Sequence, residues 1–156
     1  MKGFSGILFL LVLCIACDDQ RVYEKNVDFP SRNWVVSEHP AFEFEIDDTI
    51  ATYNLYGNVR NSLDYPFSRI FVNYSLTDSA GNTLNRRMIG EYLFDEKTGK
   101  PFGESGLGDI YHHRLPLETG FRFPHSGRYV VTLEQYMRRD SLQGVLAVGL
   151  RVERAQ

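Results

Sequence analysis

Arg69-Ile70-Phe71-Val72-Asn73-Tyr74-Ser75-Leu76 places Ile70, Val72, Tyr74 and Leu76 on one side and Arg69, Phe71, Asn73 and Ser75 on the other. A repeat of two is that of a strand with one face buried. Just beyond it, Asp78-Ser79-Ala80-Gly81-Asn82 supplies a turn, because Gly and Asn tolerate positive φ and Asp bonds to its own backbone. Upstream, Phe42-Glu43-Phe44-Glu45-Ile46 alternates apolar with charged residues. Downstream, Tyr129-Val130-Val131-Thr132-Leu133-Glu134-Gln135-Tyr136 and the stretch 145–152 are rich in the β-branched and aromatic residues that suit a pleated surface. Gly120 and Ser126-Gly127 punctuate the second half, and Arg139-Asp140-Ser141-Leu142-Gln143-Gly144 reads as a loop between the last two strands. Helical signal is poor: Tyr65 to Ser68, after Asn61-Ser62-Leu63-Asp64, is broken by Pro66 and amounts to one turn at most.

Short strands separated by turns predict an all-β fold, an antiparallel β-sandwich of two packed sheets with about eight strands, occupying residues 22–156 with its first strand near 22–27. The expected core is Trp34, Phe42, Phe44, Ile46, Leu55, Ile70, Val72, Tyr74, Phe121, Phe123, Tyr129, Val131, Leu133, Val148 and Leu150. The longest irregular stretch is 95–109, which also holds Pro101. Its glycines are four, Gly99, Gly103, Gly106 and Gly108, and it is the first place to look for a binding site, since long loops in compact domains tend to be functional.

Ahead of the domain the pattern changes. Lys2 precedes an unbroken apolar run at 7–15 and then the small Ala16, the three-part layout of a secretory signal peptide over residues 1–16. The run is about half the length needed to cross a bilayer as a helix. Leu13-Cys14-Ile15-Ala16-Cys17 resembles a bacterial lipoprotein signal, which implies cleavage before Cys17 and acylation of that residue. Cys14 departs from the usual pattern, where leucine stands three places before the modified cysteine. An ordinary secreted protein cut after Ala16 is the plainer alternative. Asp18-Asp19-Gln20-Arg21 completes a spacer over residues 17–21. One acyl chain gives only reversible attachment, whereas two or three hold firmly.

Cys14 and Cys17 are the only cysteines, and neither remains as a thiol in a lipidated mature chain, so disulfides, zinc-cysteine sites and cysteine nucleophiles drop out. About 140 residues are left, enough to bury a core without staples. Losing Lys2 leaves 16 basic against 20 acidic residues, a net charge of −4, which argues against nucleic acid as a partner.

No motif carries catalysis. Gly103-Glu104-Ser105-Gly106-Leu107 lacks the glycine that a hydrolase elbow needs two residues after the serine, and Gly106-Leu107-Gly108 fits no phosphate-cradle spacing. His112-His113 with Asp109 is the nearest approach to a metal site, but neighbours on a strand face opposite ways. Asp47-Asp48 and Asp95-Glu96 read as solvated turn residues, with calcium as the other reading. No cofactor, metal or small-molecule ligand is expected. Rings in excess of the core's needs (Trp34, Tyr65, Phe67, Phe94, Phe102 or Tyr111) suit stacking on sugars or capping a protein partner. Tyr65, Phe67, Phe102, Asp109 and Tyr111 are the candidate partner or ligand contacts.

Val59-Arg60-Asn61 followed by Tyr65-Pro66-Phe67-Ser68, then Gly106-Leu107-Gly108-Asp109-Ile110, and finally Glu134-Gln135-Tyr136-Met137-Arg138-Arg139-Asp140-Ser141-Leu142-Gln143-Gly144 with Val148-Gly149-Leu150-Arg151, together resemble the gliding-motility lipoprotein GldH family over nearly the whole mature chain. The resemblance implies a non-enzymatic outer-membrane lipoprotein of the cell envelope. It would work with other gliding or secretion proteins and be linked to type IX secretion, held to the membrane through a lipidated, palmitate-bearing Cys17. Within the matched pieces, Gly144 and Gly149 also suit a turn or bulge, and Arg138 and Arg151 suit pairing with Asp140 and Glu153. The alternative from another class is a surface glycan-binding β-sandwich lipoprotein that uses exposed rings beside 95–109.

Overall fold

A computed structural model describes residues 20–156. The leader 1–16 and Cys17 lie outside the described residues. Eleven strands follow one another, and there is no helix among the described residues. They are β1 (Arg21–Asp28), β2 (Asn33–Val35), β3 (Ala41–Ile46), β4 (Tyr53–Ser62), β5 (Arg69–Asp78), β6 (Thr83–Tyr92), β7 (Glu104–Ser105), β8 (Ile110–Phe121), β9 (Gly127–Gln135), β10 (Ser141–Gln143) and β11 (Val145–Arg154). Eight of these are six residues or longer, the number expected from the turn spacing.

The long strands form two antiparallel sheets. One is ordered β1-β11-β4-β8-β7 and the other β3-β9-β5-β6, while β10 and β2 make a small pair of their own. The deciding stretch behaves as its period requires: Ile70, Val72, Tyr74 and Leu76 of β5 are all buried, and so are Phe42, Phe44 and Ile46 of β3. Facing them across the sandwich are Leu55 and Val59 of β4, Leu115 and Leu117 of β8, and Val148, Leu150 and Val152 of β11. Phe123 is the hub of an aromatic cluster, with ring centroids 4.5 Å from Tyr129, 4.9 Å from Phe121 and 5.4 Å from Tyr53.

The two sheets are also clasped by polar groups. Tyr74 Oη lies 3.2 Å from Leu117 O and in hydrogen-bond contact with Glu118, which also receives Asn85; Arg87 Nε donates to Tyr74 Oη at 3.2 Å. Burial, then the Glu118 carboxylate, pushes the Tyr74 hydroxyl up to about 12.

Three expectations change. Phe121 is only half-buried and packs on the edge of the core. The stretch 139–144 is more than a loop, because β10 inside it pairs with β2 and sets Leu142 opposite Trp34. Trp34, expected both in the core and among the spare rings, is fully buried against Phe29, with Nε1 donating to Glu38 O at 2.9 Å.

Candidate functional site

Antiparallel pairing decides which connections share an end of the sandwich. At the near end Gln20 O accepts from Arg154 N, and Thr52 O from Ala155 N, each at 2.8 Å, so the start of the described chain, its C-terminus and the loop after β3 meet. Asp48 pairs with Arg154 at 3.5 Å and Asp78 with His125 at 3.9 Å, which draws in the β5–β6 and β8–β9 turns. Gln20 is three residues from Cys17, a reach of at most about 11 Å. Any tether through Cys17 therefore leaves from this end.

The opposite, far end is sewn together by backbone bonds. Leu63 N donates to Asp109 O at 3.1 Å, Ser62 N to Gly144 O at 2.9 Å, Gly144 N to Arg32 O at 2.9 Å, Val36 N to Asp140 O at 2.8 Å and Phe102 N to Leu93 O at 3.0 Å. Tyr65, Phe67, Phe102, Asp109 and Tyr111 all fall at this end. So do most of the large apolar side chains left in solvent, including Val36, Leu63, Phe102, Leu107 and Tyr136. Grouped exposed apolar residues, rather than single ones, are the feature that interaction surfaces share in general.

The candidates differ in what they offer. Tyr65 is 4% exposed, contrary to the expectation of a free ring. Its hydroxyl donates to Arg69 O at 2.8 Å, its ring packs on Phe67 and Phe94, and burial raises its pKa. Phe94 is likewise buried. Phe67 is half-buried, with the Arg139 guanidinium 5.7 Å from its ring centre. Phe102 is 60% exposed, Asp109 is exposed, and Tyr111 is half-buried on β8 between Asn61 and Ser105.

The turn 135–140 presents further groups that the residue-type arguments missed. Buried Gln135 donates through Nε2 to Arg139 O and accepts from Met137 N at 3.0 Å, and Met137 Sδ accepts from Phe71 N at 3.1 Å. This lock holds Arg138 at φ 55°, a left-handed conformation that ordinary side chains avoid, and leaves Tyr136, Arg138 and Arg139 in solvent. Tyr and Arg are the residues that dominate protein interfaces. Their signal lay in the Glu134-to-Gly144 piece of the family resemblance rather than in any chemical motif.

The segment 95–109 is partly ordered by its own bonds. Asp95 Oδ1 accepts from Lys97 N at 2.9 Å, Thr98 N at 2.8 Å and Thr98 Oγ1 at 3.0 Å, which holds its pKa below the ordinary value. Asp48 Oδ1 is similarly used by Ile50 N and Ala51 N, at 2.9 and 3.1 Å. Both carboxylates serve turns. No group of three His, Cys, Asp or Glu is placed to hold a metal among the described residues. Ser105 Oγ donates to Gly106 O at 3.4 Å. His112 faces solvent, and His113 points inward beside Gly103, only 8% exposed and with Nε2 unpartnered among the described residues. Burial, then the neighbouring His112, pulls the His113 pKa down to about 4.

Residues 21–152, the folded domain almost entire, match the model of the family described as GldH lipoprotein. A relative from Christiangramia forsetii, named as a gliding motility lipoprotein GldH homolog, is 28% identical over 99% of this chain and 98% of its own length. The gliding motility lipoprotein GldH of Flavobacterium johnsoniae is 29% identical over 96% of this chain and 95% of its own. Among solved structures, VP2 of the infectious bursal disease virus subviral particle gives a TM-score of 0.39 at 14% identity, over 98% of this chain and 37% of that one, too low to bear on function. With its folded domain matched from the first strand to the last, and with relatives aligned along nearly their full length, this chain belongs to the GldH lipoprotein family.

Proposed function

We propose that this chain is a non-enzymatic envelope lipoprotein, anchored in the outer membrane through acylated Cys17, that serves as a structural or assembly component of gliding motility and its linked type IX secretion apparatus. The match of residues 21–152 to the family carries the reading, supported by near-full-length relatives that bear the gliding-motility lipoprotein name. The layout of the sandwich is consistent with it. A tether at Cys17 leaves from the near end, while apolar, tyrosine and arginine side chains crowd the far end, the surface this reading gives to other envelope proteins.

The test is complementation of a strain deleted for this gene with wild type, Cys17→Ala, and a far-end variant combining Tyr136→Ala with Arg138→Ala. Surface spreading and the amount of type IX cargo released should be restored by wild type alone, with all three proteins present at equal levels. Full restoration by Cys17→Ala would remove the anchor from the account. Full restoration by the far-end variant would remove the partner surface.

A further inference from the structure

A groove of about 450 Å³ runs over the outer face of the five-stranded sheet to Glu91 and Tyr92 at the β6 edge of the other sheet, and it shares Phe102 with the far-end surface. The interior strand β11 contributes small Ala147 to its lining, and the next outward position on that strand is Gly149. Longer side chains rise on both flanks, because Asn26 and Asn58 sit opposite Gly149 while Asp28 and Arg60 sit opposite Ala147. Glycine is needed at 149, since a Cβ there would lie 2.6 Å from the backbone oxygen of Lys25 and also collide with the Asn26 side chain. Asn58 Nδ2 reaches Asn26 Oδ1 and Glu24 Oε1, both at 3.3 Å, which orders the amides across the strand. Arg114, Glu104 and the exposed ring of Phe102 close the groove on the β8 side.

The His113 ring reaches the lining but points inward under Gly103. Also on the lining, Arg60 reaches Asp28 Oδ1 through Nη1 at 3.3 Å and leaves its buried Nε without a partner among the described residues. Buried groups of this kind are normally satisfied by water or by a ligand.

We propose that this groove binds a short, uncharged oligosaccharide. Amide, guanidinium and carboxylate groups alternate along it, so donors and acceptors converge on one strip, which is what vicinal hydroxyls require because each both donates and accepts. Phe102 at the mouth offers a flat apolar face for a sugar ring. The lining carboxylates Glu24, Glu91 and Glu104 roughly balance Arg60 and Arg114, which disfavours a polyanion, and the polar walls disfavour a lipid. A peptide binding by strand addition needs an unpaired backbone edge. β11 and β4 are paired on both sides, so these strands have none to give. The volume lies within the range of about 300–1,000 Å³ usual for small ligand sites.

The full chain, purified in detergent, is applied to an array of uncharged hexose and N-acetylhexosamine oligosaccharides and, in parallel, to a random peptide array. The best oligosaccharide is then titrated calorimetrically. Retention of oligosaccharides is expected, with binding weakened about tenfold by Arg114→Ala and by Phe102→Ala, as follows from losing one charge-assisted bond or one stacking ring. Both residues are exposed, so both variants should keep the wild-type melting temperature, and Leu107→Ala, outside the groove, should bind as wild type. No oligosaccharide retained, retention unaffected by both groove variants, or retention of peptides alone would overturn the proposal. Neither lipid nor movement is read by this experiment, so its failure leaves the anchoring and gliding reading standing.

Discussion

Arg151 Nη1 donates to Glu24 Oε2 at 2.9 Å and thereby fastens the last long strand to the first, across 127 residues of chain. The bond matters because β1 is an edge strand, paired among the described residues with β11 alone, and β1 is the strand that any pull on the near-end tether reaches first. Arg151 Nε donates to Glu153 at 2.8 Å, and Glu24 also accepts from Arg21 at 3.3 Å, so the clasp is a small network.

Glu24→Ala is expected to cost about 1–2 kcal/mol in urea unfolding, between the values for exposed and for buried pairs, since the two side chains are 26% and 8% exposed. Hydrogen exchange should speed up most in β1. Burial raises the Glu24 pKa, but the bonds from Arg21 and Arg151 outweigh it and leave it below 4.5. The stabilisation is therefore complete above pH 4.5 and fades as pH falls through the lowered value, a loss that Glu24→Gln should not show.

Gly144 stands at φ 79°, and a Cβ there would lie 2.6 Å from Tyr65 N. Gly144→Ala should destabilise by about 2 kcal/mol or more, from backbone strain together with a collision that no flexible side chain relieves. A urea midpoint equal to wild type would contradict the close approach of the β10–β11 turn to the Tyr65 loop.

His113 is buried in its neutral form, with a pKa of about 4 against 6.5 when free. The unfolded chain takes up the proton more readily, so stability is full above pH 6.5 and declines as pH falls towards 4. His113→Leu should flatten that decline. Following the imidazole by NMR gives an independent reading, with a midpoint near 4 expected; a midpoint near 6.5 would mean that Gly103 and its neighbours do not cover the ring.

Trp34 ties the small β10–β2 pair to the core. Trp34→Ala should cost about 3–5 kcal/mol, and Trp34→Phe markedly less, because the ring stack on Phe29 survives and chiefly the bond to Glu38 O is lost. Equal losses from the two variants would show that packing plays no part there.

The strands legible in the sequence are those with one dry and one wet face. Ile70, Val72, Tyr74 and Leu76 show the period plainly, and so do Phe42, Phe44 and Ile46. β4 hides because its inward positions include Gly57 and Asn61, which break the apolar alternation. β6 hides because it is an edge strand, where Arg86, Arg87 and Met88 are all in solvent. β10 was invisible as a strand, since three residues gain their meaning only from pairing with Trp34 and its neighbours. The far-end site was legible in part: Phe67, Phe102, Asp109 and Tyr111 do gather there, but the burial of Tyr65 depends on Phe94 closing over it from a segment almost thirty residues away. The groove over Ala147 had no signal at all, because its walls come from β1, β4, β6, β7 and β8, which are distant in the chain.

The claim on which the functional account rests is that the sandwich hangs from a lipid-bearing Cys17 at its near end. Tandem mass spectrometry of the N-terminal peptide, taken from the membrane fraction of the native host, tests it most directly. The account expects Cys17 as the first residue, carrying a diacylglycerol thioether and an acylated amine. A retained leader, or a mature N-terminus at Cys17 with a free thiol, would contradict it.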